Sequence, residues 1–312
     1  MYESLGLLQY TETVFTLSQV LDLSISEHHS DEWLIEIDVE ANQTKGRPRG
    51  VSGIWSSRGV LFALIARDTT SRYRRTILGA TWAVIQPAIF TVILSLVHKG
   101  DSTTGQFVPY PVYVYSGFLI WTFFSSALQG ASSSVVSAQG LVSASYFPRH
   151  VLPWVAIGLQ IVDLAVGLLG LGGLMVIYRV PPSPRVVLLP LVVALLALGA
   201  GGVGSLLAGL MVVARDVGNI TPFLSLAWLF ATPALYLPPS VLAATPWYQG
   251  GMRNVLAALN PLSGLLDLVR YCTFGGNLNF VEVGVATLTT LVFVIAGHMS
   301  FAHFEARFTD VL

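Results

Sequence analysis

The chain has 312 residues, of which 54% are hydrophobic and 11% are Asp, Glu, Lys or Arg, under half the roughly 25% charged content of a soluble domain. No formal charge occurs between Asp101 and Arg149, between Arg185 and Arg215, or between Asp216 and Arg253, and the mean hydropathy is +0.69. This excludes a water-soluble globule. The uncharged runs fit helices of about 20 apolar residues and not the roughly ten-residue alternation of a transmembrane β-barrel, so an all-α integral membrane protein is predicted.

The net charge of -1 hides an asymmetry. Residues 1–40 hold nine acids and neither Lys nor Arg, whereas the remainder holds 16 bases against eight acids. Residues 1–56 read as an acidic soluble leader, either a solvated tail or a partner-docking segment. Within it, residues 33–39 alternate weakly, as a short strand would, and residues 45–53 form a basic Gly/Pro linker. Residues 1–25 lack the basic start and apolar core of a signal peptide, so the internal spans are expected to drive insertion. Cys272 is the single cysteine, and no intrachain disulfide is possible.

Residues 57–312 read as the membrane domain. Residues 57–78 carry Leu61, Leu64 and Ile65 on one helical side, followed by Arg67, Asp68, Arg72, Arg74 and Arg75. That pattern predicts an amphipathic helix in the cytoplasmic headgroup layer. Six spans are predicted at 79–97, 112–135, 152–178, 186–213, 220–237 and 281–302. Residues 139–150 between the second and third are too polar to cross. Residues 254–274 are apolar but include Asn260, Pro261, Asp267 and Arg270, and are expected to form an external re-entrant or interfacial hairpin between spans five and six. Six spans place both termini on one side. With both inside, eleven Lys or Arg lie inside against five outside, so the positive-inside rule favours cytoplasmic termini.

The motifs of self-contained catalysis are missing. There is no His-Glu-x-x-His helix and no Gly-rich phosphate loop ending in Lys-Ser/Thr. No metal site is expected among the scattered histidines, and none of the residues is predicted to be catalytic. Asp163, well inside the third span, is expensive in lipid and predicts a buried partner or a cavity; it reads as a polar anchor between helices, or as a relay or substrate contact. Trp82 and Phe90 lie in the first span, Phe118, Trp121 and Phe124 on one face of the second, and Trp228 and Phe230 in the fifth. These rings are packing groups, or they line a conduit whose flat faces suit the C–H faces of sugar rings. Glycines cluster at 167–173 and 199–209, and close helix packing within the chain is the expectation.

Several motifs point to a family. Arg72-Tyr73-Arg74-Arg75, Leu78-Gly79, Trp82 and Gln86-Pro87, then the stretch from Ser116 to Ser126, then Tyr146-Phe147-Pro148-Arg149 with Leu152-Pro153, occur in order. Asp163, Arg215-Asp216-Val217, Pro222-Phe223, Asn260-Pro261-Leu262 with Gly264 and Arg270, and the tail beginning at Arg307 complete the set. Together they resemble the permease subunit of type-2 ABC exporters of polysaccharides such as O-antigen, capsule and teichoic acid. The likeness spans residues 57–312. The acidic leader departs from it, since the family's N-termini are usually shorter.

The resemblance implies a homodimer in the bacterial inner membrane, joined to two copies of a separate ATP-binding subunit that holds ATP and Mg; no cofactor is expected on this chain, and no nucleic acid partner. It implies a lipid-linked, undecaprenyl-type polysaccharide substrate exported from the cytoplasmic side. Tyr146, Phe147, Arg149, Arg215 and Asp216 would then couple to the ATPase. Arg72, Arg74 and Arg75 would meet the lipid pyrophosphate, since guanidinium binds phosphate oxygens bidentately, or anchor the helix to membrane lipids. The alternatives are a type-2 exporter of a drug or small lipid, and an integral-membrane enzyme of glycan assembly, which would need paired acids or a metal site. An ion-coupled carrier would need several ionisable groups at mid-bilayer.

Overall fold

A computed structural model describes residues 57–74, 78–97, 108–138, 148–232, 260–276 and 278–305, with Glu305 as backbone only. The acidic leader 1–56, Arg75, residues 139–147 with Tyr146 and Phe147, residues 233–259 and the tail from 306 lie outside the described residues.

All regular structure among the described residues is helical: α1 (Arg58–Arg74), α2 (Trp82–Val97), α3 (Tyr110–Ser137), α4 (Leu152–Ile177), α5 (Leu189–Val213), α6 (Val217–Phe230), α7 (Pro261–Phe274) and α8 (Phe280–Glu305). Prolines mark the starts. Pro111, Pro153, Pro190 and Pro261 sit in first turns, where no intrahelical donor is required and the fixed φ suits the helix. Gly79 has a left-handed φ of 48°, which glycine adopts without steric cost, and it opens the 3-10 turn Gly79–Thr81 that leads into α2.

Among the described residues, five helices are long and apolar enough to cross a bilayer: Gly79–Val97, Tyr110–Ser137, Arg149–Ile177, Pro184–Val213 and Phe280–Phe304. They match the first four predicted spans and the last to within a few residues. The remaining predicted span, 220–237, is described only to Thr232. There α6 has 14 residues, roughly 21 Å at 1.5 Å per residue, short of a hydrocarbon core of about 30 Å.

The central helix is α3. Val112, Val114, Ala127, Leu128, Ala131 and Val135 are fully buried along its length, and it touches α2, α4, α5, α6 and α7. Glycines let the neighbours close in. A Cβ added at Gly202 of α5 would lie 2.6 Å from the Phe293 carbonyl carbon of α8, and Gly297 faces the Gly202 backbone in return. A Cβ added at Gly204 would lie 2.5 Å from Ala131 Cβ of α3, and one at Gly201 would lie 2.7 Å from the Trp154 ring of α4. Most of the predicted small-residue clusters therefore serve packing within the chain. Gly172 and Gly173 are the exceptions, since a Cβ added at either meets no other part of the chain within 4 Å.

The segment expected as an interfacial hairpin includes α7, which docks against the bundle. Leu262, Leu265, Leu266, Val269 and Cys272 are buried, and α7 contacts α8, α5 and α3. Two polar ties hold it. Asn260 caps the helix by accepting from the Leu262 N–H at 3.0 Å and accepts from Trp228 Nε1 at 2.7 Å. Buried Arg270 donates to Ser116 Oγ at 3.2 Å and to the Tyr113 carbonyl at 3.1 Å, with its guanidinium 3.5 Å over the Tyr113 ring.

Candidate functional site

The segment predicted as an interfacial helix is helical as α1, and its partly buried side rests on α4, where Ile65 fills the notch left by Gly158. This contact carries the end of α1 to Asp163, roughly 16 Å along α4 from Leu152 at 1.5 Å per residue. The partner expected for Asp163 is present. Arg72 Nη1 lies 3.0 Å from Asp163 Oδ2, and the Tyr73 hydroxyl donates to Asp163 Oδ1. Gln160 stands one turn earlier on α4. With its amide turned to suit both neighbours, it donates to Asp163 Oδ2 at 3.1 Å and accepts from Arg72 Nη1 at 3.2 Å. The carboxylate is 19% exposed and Arg72 about half exposed, so this is a partly buried pair at the rim of the bundle.

Burial, then the hydrogen bond to Asp163 and its negative charge, push the Tyr73 phenol up to about 12. It therefore remains a donor across the physiological range.

This cluster forms one end of a cleft of about 210 Å³ between α1, α2, α3 and α4. Trp82, Ala83 and Gln86 of α2 form one wall, and Leu119, Thr122, Phe123 and Ser126 of α3 another. Leu164 continues the α4 side. Thr122 Oγ1 is buried without a hydrogen-bond partner.

The predicted aromatic lining divides. Phe118 and Phe124 are each 3% exposed. Phe118 stacks on Phe90 at 4.6 Å with the planes 2° apart, and Trp121 meets both rings edge-on. Phe124 packs on Trp228 at 5.1 Å. These five rings bond the chain internally. Trp82 (53% exposed) and Phe230 (64%) present open faces. Of the three arginines expected to meet phosphate, Arg72 is engaged by Asp163, Arg74 is exposed and Arg75 lies outside the described residues. Arg149 starts the turn into α4, and Arg215 and Asp216 stand exposed in the corner between α5 and α6.

The sequence reading missed Gln160, Thr122 and Ser126 as site residues. Gln160 was findable, because a polar residue one turn from Asp163 shares its helix face. So were Thr122 and Ser126, a turn apart on a largely apolar span.

Comparison with known proteins agrees with this architecture. The profile of the ABC-2 type transporter family matches residues 59–274. The O-antigen export system permease protein RfbA of Myxococcus xanthus is 29% identical over 219 residues, covering 70% of this chain and 81% of that protein. A protein of the same name from Klebsiella pneumoniae is 22% identical over 259 residues, covering 81% and 96%. With a helical bundle of several membrane-length spans and a family match over well more than half its length, this multi-pass membrane chain belongs to the ABC-2 type transporter family.

Proposed function

We propose that the chain is the transmembrane subunit of an ATP-driven exporter that moves a lipid-linked polysaccharide out of the cytoplasm across the bacterial inner membrane. The observation that carries this reading is the likeness to O-antigen export permeases over 70% and 81% of the chain. Two copies of the chain pair with two copies of an ATP-binding subunit, which supplies ATP and Mg. Both termini are cytoplasmic in this reading, which the inner excess of Lys and Arg supports. The cytoplasmic segment 139–150, with Tyr146, Phe147 and Arg149, and the exposed corner at Arg215 and Asp216, transmit the ATPase stroke. The open apolar side of α2, with Trp82, Ile89 and Ile93, and that of α6, with Phe223 and Phe230, face the partner protomer and the conduit. Arg74 and Arg75 serve the lipid pyrophosphate, because the charge of Arg72 is already answered by Asp163.

Deleting the gene tests the reading. Lipid-linked glycan should accumulate on the cytoplasmic side and vanish from the surface, and return of the chain should restore it. Unchanged surface glycan in the deletion strain sinks the proposal.

A further inference from the structure

We propose that the cleft between α1, α2, α3 and α4 binds one neutral sugar ring of the transported glycan, an inference that rests on the exporter reading above. Its charge balance argues against an anion. Asp163 sits 3.0 Å from Arg72, so a phosphate brought to that guanidinium would meet the carboxylate at the same time. The remaining polar lining is neutral: Gln86, Thr122 and Ser126 both donate and accept, as sugar hydroxyls do.

Two observations point to a ligand there. Thr122 lines the cleft, and its Oγ1 is enclosed by protein with no hydrogen-bond partner. It is one of six such side-chain atoms among the described residues and the one on a cleft-lining residue, where a partner can be supplied from outside the chain. Trp82 lines the same cleft with its indole half exposed, and a flat ring of this kind accepts the apolar C–H face of a pyranose. Leu119, Phe123 and Leu164 supply the apolar side. At about 210 Å³ the cleft is smaller than the roughly 300–1,000 Å³ of a small-molecule pocket, which suits one ring and not several. Along the same face of α3, Gln129 and Ser133 follow Ser126 at helical spacing, so the chain attached to that ring has a polar path to follow.

The test uses the complete complex of this chain with its ATP-binding subunit, reconstituted in lipid nanodiscs. The probe is the lipid-linked glycan that accumulates in the deletion strain, added while ATP hydrolysis is followed. Thr122→Val keeps the side-chain shape and removes a hydroxyl that bonds to nothing, so the fold loses no contact. It should raise the half-stimulating glycan concentration about fivefold, the loss of one net hydrogen bond, read separately from the maximal rate. Ser126→Ala should shift it in the same direction. Wild-type concentrations for both variants overturn the cleft proposal alone. A wild-type complex that ignores the glycan overturns the exporter reading and the cleft with it. Competition by inorganic pyrophosphate that disappears in Thr122→Val would assign the cleft to phosphate and also overturn the proposal.

Discussion

Arg72 and Asp163 meet at 3.0 Å across two helices, so the carboxylate inside α4 is answered by a cation from helix α1. Together with Tyr73 and Gln160 they fasten α1 to the bundle at the same level as the cleft. Asp163→Ala removes the acceptor of three groups. We expect it to lower stability by about 1–3 kcal/mol, the cost of partly buried donors left without partners. The loss is held down because half-exposed Arg72 regains water. The exchanged pair Arg72→Asp with Asp163→Arg should recover part of the loss, read as thermal unfolding in detergent. If the exchanged pair is no better than the worse single variant, the ion pair is not what holds α1.

Tyr73 gives the same contact a signature in pH. Its pKa is raised in the folded chain to about 12 from an ordinary 10.0, so the folded state holds the phenolic proton more tightly than the unfolded chain. The stabilisation is complete below the unfolded value and is lost as pH rises through the folded one. Tyr73→Phe should therefore be less stable than wild type at neutral pH, and the gap should shrink from about pH 10 upward. A gap that stays constant into that range would separate Tyr73 from Asp163.

The crossing of α5 and α8 depends on bare backbones. Gly297→Ala forces a methyl group against the Gly202 backbone. Overpacking of this kind costs about 1–3 kcal/mol or more. Gly172→Ala is the matched control, since a Cβ added there meets no other part of the chain within 4 Å, and it should be neutral or gain up to about 1 kcal/mol from helix propensity. Melting temperatures of the two variants in one detergent check this. Equal losses would show that the packing at Gly202 is not specific.

Arg270 is buried between Ser116, the Tyr113 carbonyl and the Tyr113 ring. A lysine keeps the charge but not the planar fork or the stacking. Arg270→Lys should therefore release α7 from α3, with a stability loss of about 1.5–3 kcal/mol for each charged hydrogen bond that is not remade. Protease sensitivity between α6 and α8 should rise in parallel. Wild-type melting and proteolysis would show that the charge alone suffices.

The linear sequence located five of the six predicted spans to within a few residues. In lipid every backbone group must be satisfied within the segment, so a long uncharged run has helix as its open route. That is why 79–97 and the end at Val213 match their predicted bounds. It also signalled that Asp163 needs a partner, because an isolated carboxylate in hydrocarbon is costly. Only the tertiary structure decided which partner, since Tyr73 is 90 residues away along the chain. It likewise decided which aromatic rings are buried within the chain. A span is apolar whether it faces lipid or protein, so periodicity could not tell buried Phe118 and Phe124 from open Trp82 and Phe230. The orphan hydroxyl of Thr122 was hidden for the same reason. Whether a polar atom is satisfied depends on what other helices bring within about 3 Å of it, and that distance is set by how the helices pack.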